Sequence, residues 1–432
     1  MVSSLDELYQ HYLKYPQIST DSRAISSGSI FFALKGENFD GNTFALQALN
    51  QGCSLAVVDN IKLKNKELCF FVEDVLLTLQ ALAKLHRKKL NIPIIGITGT
   101  NGKTTTKELM NTVLSKKFKT YSTRGNLNNH IGVPLSILSI NNDVEIAVIE
   151  MGANHIGEIE NLCNISNPNC GLITNIGIAH LEGFGSFEGV VEAKTELYRH
   201  MEAQPNTVTF VHHDDSLLMN KSENLQKYTY GFTDKANVKF NKINCDIFAT
   251  TNWQINGKSL TINSKLIGDY NVPNMMAAIC IGHFFEIPKL LIKEAIEEYE
   301  PKNQRSQLLQ TPNNRLIVDA YNANPSSMVK AIDNFAMVKA DQKILILGDM
   351  LELGSESQGL HQDIVDHILK TGIKKVILIG SLFSLCELNS NWIHYKTTDQ
   401  ALDYLNSNKI KNYTILLKGS RGMRLEKLIE TL

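Results

Sequence analysis

A lysine followed by a threonine at a helix start, with glycines just ahead of it, is suited to holding phosphate. The string Gly99-Thr100-Asn101-Gly102-Lys103-Thr104-Thr105 has that form. The run IPIIGI before it has the apolar character of a strand, and KTTTKELM after it begins a helical pattern. Gly99 and Gly102 permit close backbone approach, while the successive N–H groups from Thr100 to Thr105 and the helix N-terminus attract anions. Lys103 can then reach the outer phosphates of a nucleoside triphosphate, and Thr104 can offer its hydroxyl to Mg²⁺. The glycine spacing is shortened. A strict Walker A pattern requires glycine five positions before Gly102, where Ile97 stands.

A second candidate is Glu150, which ends the apolar run EIAVIE. A carboxylate at the carboxyl end of a central strand lies where open α/β sheets bind ligands, and there it can hold Mg²⁺. Taken alone, a strand-ending glutamate is more often a solvated or helix-capping group.

The elements that must position these groups follow from periodicity. Residues 1–88 read as a small mixed α/β domain, with SIFFAL and LAVVD as strands and FALQALNQG as a helix ended by Gly52. LLTLQALAKLHRKKL has helical spacing and a basic last turn, and it leads to a linker near Asn91-Ile92-Pro93. Residues 89–300 read as a mainly parallel, helix-covered sheet (EIAVIE, CGLITNIG, TVTFV), with antiparallel strands at its side between about 225 and 266. Residues 301–432 bring a second α/β rhythm through RLIVDAYN, KILILGDM, KKVILIG and YTILLKGS. The expected fold is therefore α/β in three domains, with a hinge near Glu300.

Size and composition agree with several cores. The chain has 432 residues, 43% hydrophobic and 20% charged, which is ordinary for a globular protein of two or three domains. A formal net charge of -1 argues against a general nucleic-acid binder, since neutralising many phosphates takes a basic surplus. The seven cysteines (Cys53, Cys69, Cys163, Cys170, Cys245, Cys280, Cys386) form no zinc-spaced pair and are read as reduced thiols. The amino terminus carries Asp6 and Glu7 where a secretory peptide has a basic start, and the longest apolar runs are strand-sized. No membrane insertion is expected, and the expected location is the cytoplasm.

GTNGKTTT in its strand-to-helix setting resembles the phosphate loop of the Mur ligases, which share the shortened glycine spacing. GNLNNHIGVPLSIL, IEMGANHIGEI, NIGIAHLEGFGS, EAKTEL and GDYNVPNMMAA follow in that family's order. TDSRAISSGSIFFALKGENFDGNTF resembles the family's uridine-nucleotide domain. DAYNANPSSM and LGDMLELG resemble the carboxy-terminal domain of the branch that adds D-alanyl-D-alanine, and the D-N-P-R string expected of the diaminopimelate- or lysine-adding branches is absent. One departure is Asn42, where the family more often has histidine. The resemblance implies a monomeric ATP-dependent amide ligase, with a uridine-nucleotide domain, a central ATPase domain and a Rossmann-like third domain. Its substrates would be a UDP-N-acetylmuramoyl-tripeptide and D-alanyl-D-alanine, for peptidoglycan synthesis and hence cell shape and division.

It also implies roles for particular residues. His180 would be a metal ligand, with Mn²⁺ able to replace Mg²⁺. Lys194 would react with carbon dioxide to give a carbamate that ligates a second metal ion; its plain alternative is a helix-surface lysine near Glu192 and Glu196. Asn274 would contact adenine, or else cap a helix near Pro273. Arg305 would reach toward nucleotide phosphate from the third domain, with Asp319 and Asn322 beside it, or else form a surface ion pair. Asn128 and Asn129 would serve the muramoyl-peptide substrate, although asparagine is also a common turn former. Ser22, Arg23 and Lys35 would contact the uridine nucleotide.

Other ligases on the same ATPase core, such as the folylpolyglutamate synthases, form amides in the same way, and a hydrolytic P-loop ATPase would share the phosphate loop. The TDSR and DAYNANP segments separate the muramoyl reading from both.

Overall fold

The computed structural model describes residues 4–243, 247–255, 257–301 and 305–432. Cys245 lies outside them, as do residues 302–304 beside the hinge expected near Glu300.

Three large sheets carry the chain, beside a two-stranded antiparallel ribbon of Lys35–Gly36 and Phe39–Asp40. The first is a four-stranded parallel sheet in the order Ile18–Ser19, Ile30–Phe32, Leu55–Val58, Cys69–Phe71. Ile30, Phe31 and Phe32 are all buried, so this short strand reads as an apolar run without alternation. The helix Val75–Lys89 begins where the Asp74 carboxylate accepts the Leu77 N–H at 2.7 Å, and its last turn is basic. It is more than a lead into a linker. Its Arg87 Nε donates to Ser166 O at 2.9 Å, and His86 Nε2 lies 2.8 Å from Ile140 O. Leu79 and Leu82 share one apolar cluster with Val133, Ile137 and Leu162. The first sheet is thereby fastened to the helices beneath the second.

The central sheet has nine strands. Its parallel part runs Val208–His212, Cys170–Ile173, Ile94–Thr98, Ile146–Glu150, Thr120–Ser122. Every residue of Ile94–Thr98 and of Ile146–Glu150 is buried, as expected of strands covered by helices on both faces. On the far side the sequence reading needs a correction. Lys227–Gly231 and Val238–Asn241 continue the sheet in parallel, and only Phe248–Ile255 and Lys258–Ile267 pair antiparallel. Alternation does not reveal strand direction here, since Val238–Asn241 alternates with Val238 and Phe240 buried and Asn241 exposed, as the antiparallel strands do, yet pairs in parallel with Lys227–Gly231.

The third sheet runs Gln307–Gln310, Arg315–Asp319, Thr414–Lys418, Lys343–Gly348, Lys375–Ile379, Ile393–Tyr395, parallel except for its first strand. Sequence reading had found its four long strands but not the two edge strands. Asp319 and Lys418 are register partners, so both stand at the carboxyl ends of their strands.

Candidate active-site cleft

The carboxyl ends of the central and third sheets meet across a cleft of about 500 Å³. From the central sheet its lining includes residues 100–105, Asn128, Asn129, Glu150, His180, Asn271 and Asn274. From the third come Arg305, Asp319, Tyr321, Asn322, Asn324, Lys330 and Lys418. Most of the residues singled out from sequence therefore share one site. Ser22, Arg23 and Lys35 do not line it and belong to the first sheet's domain. There Arg23 grips Asp21 through Nε and Nη2 at 2.9 and 2.7 Å, Lys35 pairs with Asp59 at 2.8 Å, and Ser22 is half-buried between Asp21 and Arg23. Those two hydrogen bonds hold the exposed Asp21 carboxyl down to about 2. The unusual Asn42 is buried and donates to both Asp40 and Asp59 at 2.7 Å, so it ties together the carboxylates around Lys35.

The phosphate loop is shaped by contacts that tolerate no side chain. Gly99 has φ +139°, and a Cβ there would fall 2.1 Å from Thr174 Oγ1; Gly102 has φ +80°, and a Cβ would fall 2.5 Å from Asn274 Oδ1. The helix Lys103–Leu114 starts directly after Gly102, so its first N–H groups open into the cleft. Lys103 Nζ meanwhile donates to the carbonyls of Gly99 and Thr100 at 2.6 and 3.1 Å. Burial, helped by the nearby Arg305 charge, pushes the Lys103 amine down to about 8, while Glu150 opposes the shift.

Glu150 is 1% exposed. Its Oε1 accepts Thr104 Oγ1 at 3.1 Å and Asn128 Nδ2 at 2.9 Å, and the buried Lys107 ammonium stands 3.8 Å from Oε2. Oε2 itself has no hydrogen-bond partner among the described residues. A buried carboxylate oxygen left over beside a threonine hydroxyl, at the mouth of a phosphate loop, fits a hard divalent cation. Among the described residues no three His, Cys, Asp or Glu side chains gather to form a closed metal cage. Mg²⁺ needs none, since it keeps waters and phosphate oxygens and takes only one or two protein carboxylates.

His180 stands at the cleft edge with φ +51°, and its Nδ1 lies against the Glu352 carboxylate of the third domain. Lys194 is 2% exposed, which removes the helix-surface alternative. It sits just behind the wall, donating to Ala153 O at 3.3 Å and lying 4.9 Å over the Phe184 ring. Burial, with the Lys103 charge adding to it, lowers its amine to about 7.

Asn274 is not a helix cap. It accepts Thr106 Oγ1 at 3.1 Å and donates to Asn271 at 2.8 Å, against the phosphate loop. The Arg305 guanidinium stacks 3.7 Å from the Tyr321 ring centroid, and among the described residues it forms no ion pair. Asp319 is held by Lys418 Nζ at 2.6 Å, and Asn322 turns its side-chain oxygen back to the Ala323 N–H at 2.9 Å. Asn129 accepts Ile131 and Gly132 N–H groups at 3.2 and 2.9 Å, so it shapes the turn that leads into the next helix, whereas Asn128 belongs to the Glu150 carboxylate.

Sequence reading missed Lys107, Asn324 and Lys418. Each had a signal. Lys107 lies one helical turn beyond Lys103, Asn324 precedes Pro325 as a cap precedes a first helical residue, and Lys418 ends an apolar strand as Glu150 does.

Comparison with known proteins agrees along the whole chain. Residues 14–90 match the catalytic domain of the Mur ligase family, residues 97–282 the Mur ligase middle domain, and residues 304–421 the Mur ligase glutamate ligase domain. The chain is 33% identical over 450 residues to the UDP-N-acetylmuramoyl-tripeptide–D-alanyl-D-alanine ligase of Bacillus subtilis (strain 168), covering 100% of this chain and 98% of that protein. Among solved structures, the MurF of Acinetobacter baumannii superposes with a TM-score of 0.86 at 30% identity, covering 96% of this chain and 92% of that one. The fold is also that of the MurF ligase of Thermotoga maritima in complex with ADP, with a TM-score of 0.85 at 24% identity and 97% of each chain covered. With its three domains matched in order and a relative aligned from end to end, the chain belongs to the Mur ligase family.

Proposed function

We infer that the chain is an ATP-dependent ligase that joins D-alanyl-D-alanine to a UDP-N-acetylmuramoyl-tripeptide in peptidoglycan precursor synthesis. The observation that carries this reading is the end-to-end likeness to the Bacillus subtilis enzyme of that name, which includes both outer domains as well as the shared ATPase core.

The γ-phosphoryl group of ATP passes to a carboxylate oxygen of the tripeptide, leaving ADP. The amine of D-alanyl-D-alanine then attacks the carbonyl carbon of the acyl phosphate, and phosphate leaves as the amide bond forms. Phosphoryl transfer asks mainly for positioning and charge neutralisation. On this reading the N–H groups of residues 99–105 cradle the phosphates and Lys103 exchanges its loop carbonyls for phosphate oxygens. Glu150 Oε2 and Thr104 hold Mg²⁺, with His180 at the same site and Mn²⁺ as a working substitute. When bound, such an ion neutralises the charge developing on the transferring group. Lys194 acts as its carbamate, and its lowered, buried amine supports that role, since only the neutral amine reacts with carbon dioxide.

Asn274, Arg305, Asp319 and Asn322 line the nucleotide's path. Asn128 and Asn129 face the muramoyl peptide, and Ser22, Arg23 and Lys35 face its uridine nucleotide. The three domains divide at about residues 88 and 300, and the protein works as a monomer in the cytoplasm. Among the described residues no helix is long and apolar enough to cross a membrane.

Incubation with ATP, Mg²⁺ and a UDP-N-acetylmuramoyl-tripeptide, offering D-alanyl-D-alanine or single amino acids in turn, tests the reading. A product carrying the added dipeptide, seen by mass, is expected. Phosphate release without a joined product, or addition of a single amino acid, would overturn it.

A further inference from the structure

The loop after strand Lys343–Gly348 is held unusually firmly for a segment facing solvent and another domain. Asp349 is buried and its two carboxylate oxygens accept the N–H groups of Leu382 and Phe383 at 2.9 and 3.1 Å. Met350 N–H donates to the buried His361 ring at 3.0 Å, and Leu351 N–H to Ser420 Oγ at 2.9 Å. This bracing delivers Glu352, at φ +65°, to His180, at φ +51°; both are backbone conformations that side-chain-bearing residues seldom adopt. The Glu352 carboxylate lies against His180 Nδ1 while the Glu182 N–H reaches Glu352 O at 3.5 Å, so the loop holds the turn at the histidine and again two residues beyond it.

Stability does not account for this arrangement. The Glu352 side chain is 55% exposed, and ion pairs of that kind contribute little to folding. A histidine that binds metal, however, characteristically places its other ring nitrogen on a carboxylate, which fixes the ring and raises its basicity. We propose that Glu352 is a positioning residue for His180, completing a carboxylate–histidine–metal relay across the domain interface, so that the central domain's ion site is fully formed only while the third domain is docked. The proposal rests on the reading of His180 as a metal ligand.

Mn²⁺ binding to the intact protein, followed by the electron paramagnetic resonance signal of the free ion with a non-hydrolysable ATP analogue present, separates the two. His180→Ala should weaken Mn²⁺ affinity, and Glu352→Gln should weaken it by about 10-fold to 100-fold without changing the melting temperature. In the His180→Ala background, Glu352→Gln should have no further effect. Loss of affinity in His180→Ala with none in Glu352→Gln would overturn the positioning role alone. Unchanged affinity in His180→Ala would overturn it together with the reading beneath it. As a second measurement, Glu352→Ala should raise hydrogen exchange across residues 181–184, and unchanged protection there would contradict the interdomain grip.

Discussion

Asn324 Nδ2 donates to Asn101 Oδ1 at 2.9 Å, so the N-cap residue of a third-domain helix is tied to the middle of the phosphate loop. The same side chain caps its own helix, accepting the Ser327 N–H at 2.9 Å. Asn324→Ala should therefore act twice. Loss of the cap should lower stability by about 1 kcal/mol, measured by denaturant unfolding, and loss of the tether should raise the KM for ATP more than it lowers kcat.

Lys107 neutralises Glu150 at 3.8 Å in a setting where both side chains are almost fully buried. Removing one partner of such a pair leaves an uncompensated charge, at a cost of about 3 kcal/mol. Lys107→Met should lower the melting temperature accordingly. Added Mg²⁺ and nucleotide should then stabilise the variant more than the wild type, because a bound cation replaces the missing charge. An equal thermal shift in both would contradict the placement of the ion at Glu150.

Lys194→Arg should reduce kcat by about 10²-fold or more, since arginine cannot form a carbamate. Steady-state phosphate release measures this, and full activity would exclude the carbamate role.

His86 joins the first domain to the second, with burial pushing its imidazole below the ordinary value of 6.5 and its bond to Ile140 O opposing that. The tyrosines Tyr9 and Tyr12 face it. Since the folded state holds this ring neutral, the unfolded chain binds the extra proton first as pH falls below 6.5. Stability is then lost from that point down to the folded value, with a slope of at most about 1.4 kcal/mol per pH unit for one proton, and is unaffected above it. His86→Gln should flatten this limb when denaturant unfolding is compared at about pH 7.5 and about pH 5.5.

What the sequence made legible follows from how local each signal is. The phosphate loop, Glu150 and the long parallel strands announce themselves because fully buried strands are continuous apolar runs, and the loop's glycines sit between one such strand and a helix. The parallel pairing of Lys227–Gly231 and Val238–Asn241 was not legible, since strand direction depends on which neighbour a segment meets. Nor was the carboxylate partner of His180: Glu352 is far along the chain and arrives through a turn whose bracing residues come from three separate segments. Lys194 is the intermediate case. Its helix carries acidic neighbours that suggest an exposed face, yet the side chain is turned inward against Phe184 and Ala153.

The most direct measurement follows oxygen. With the reacting carboxylate of the UDP-N-acetylmuramoyl-tripeptide enriched in ¹⁸O, one heavy oxygen should appear in the phosphate released as the amide forms, because the carboxylate oxygen that accepts the γ-phosphoryl group leaves with it. Unlabelled phosphate from a reaction that yields the joined product would contradict an acyl phosphate formed at the Lys103 and Glu150 cleft.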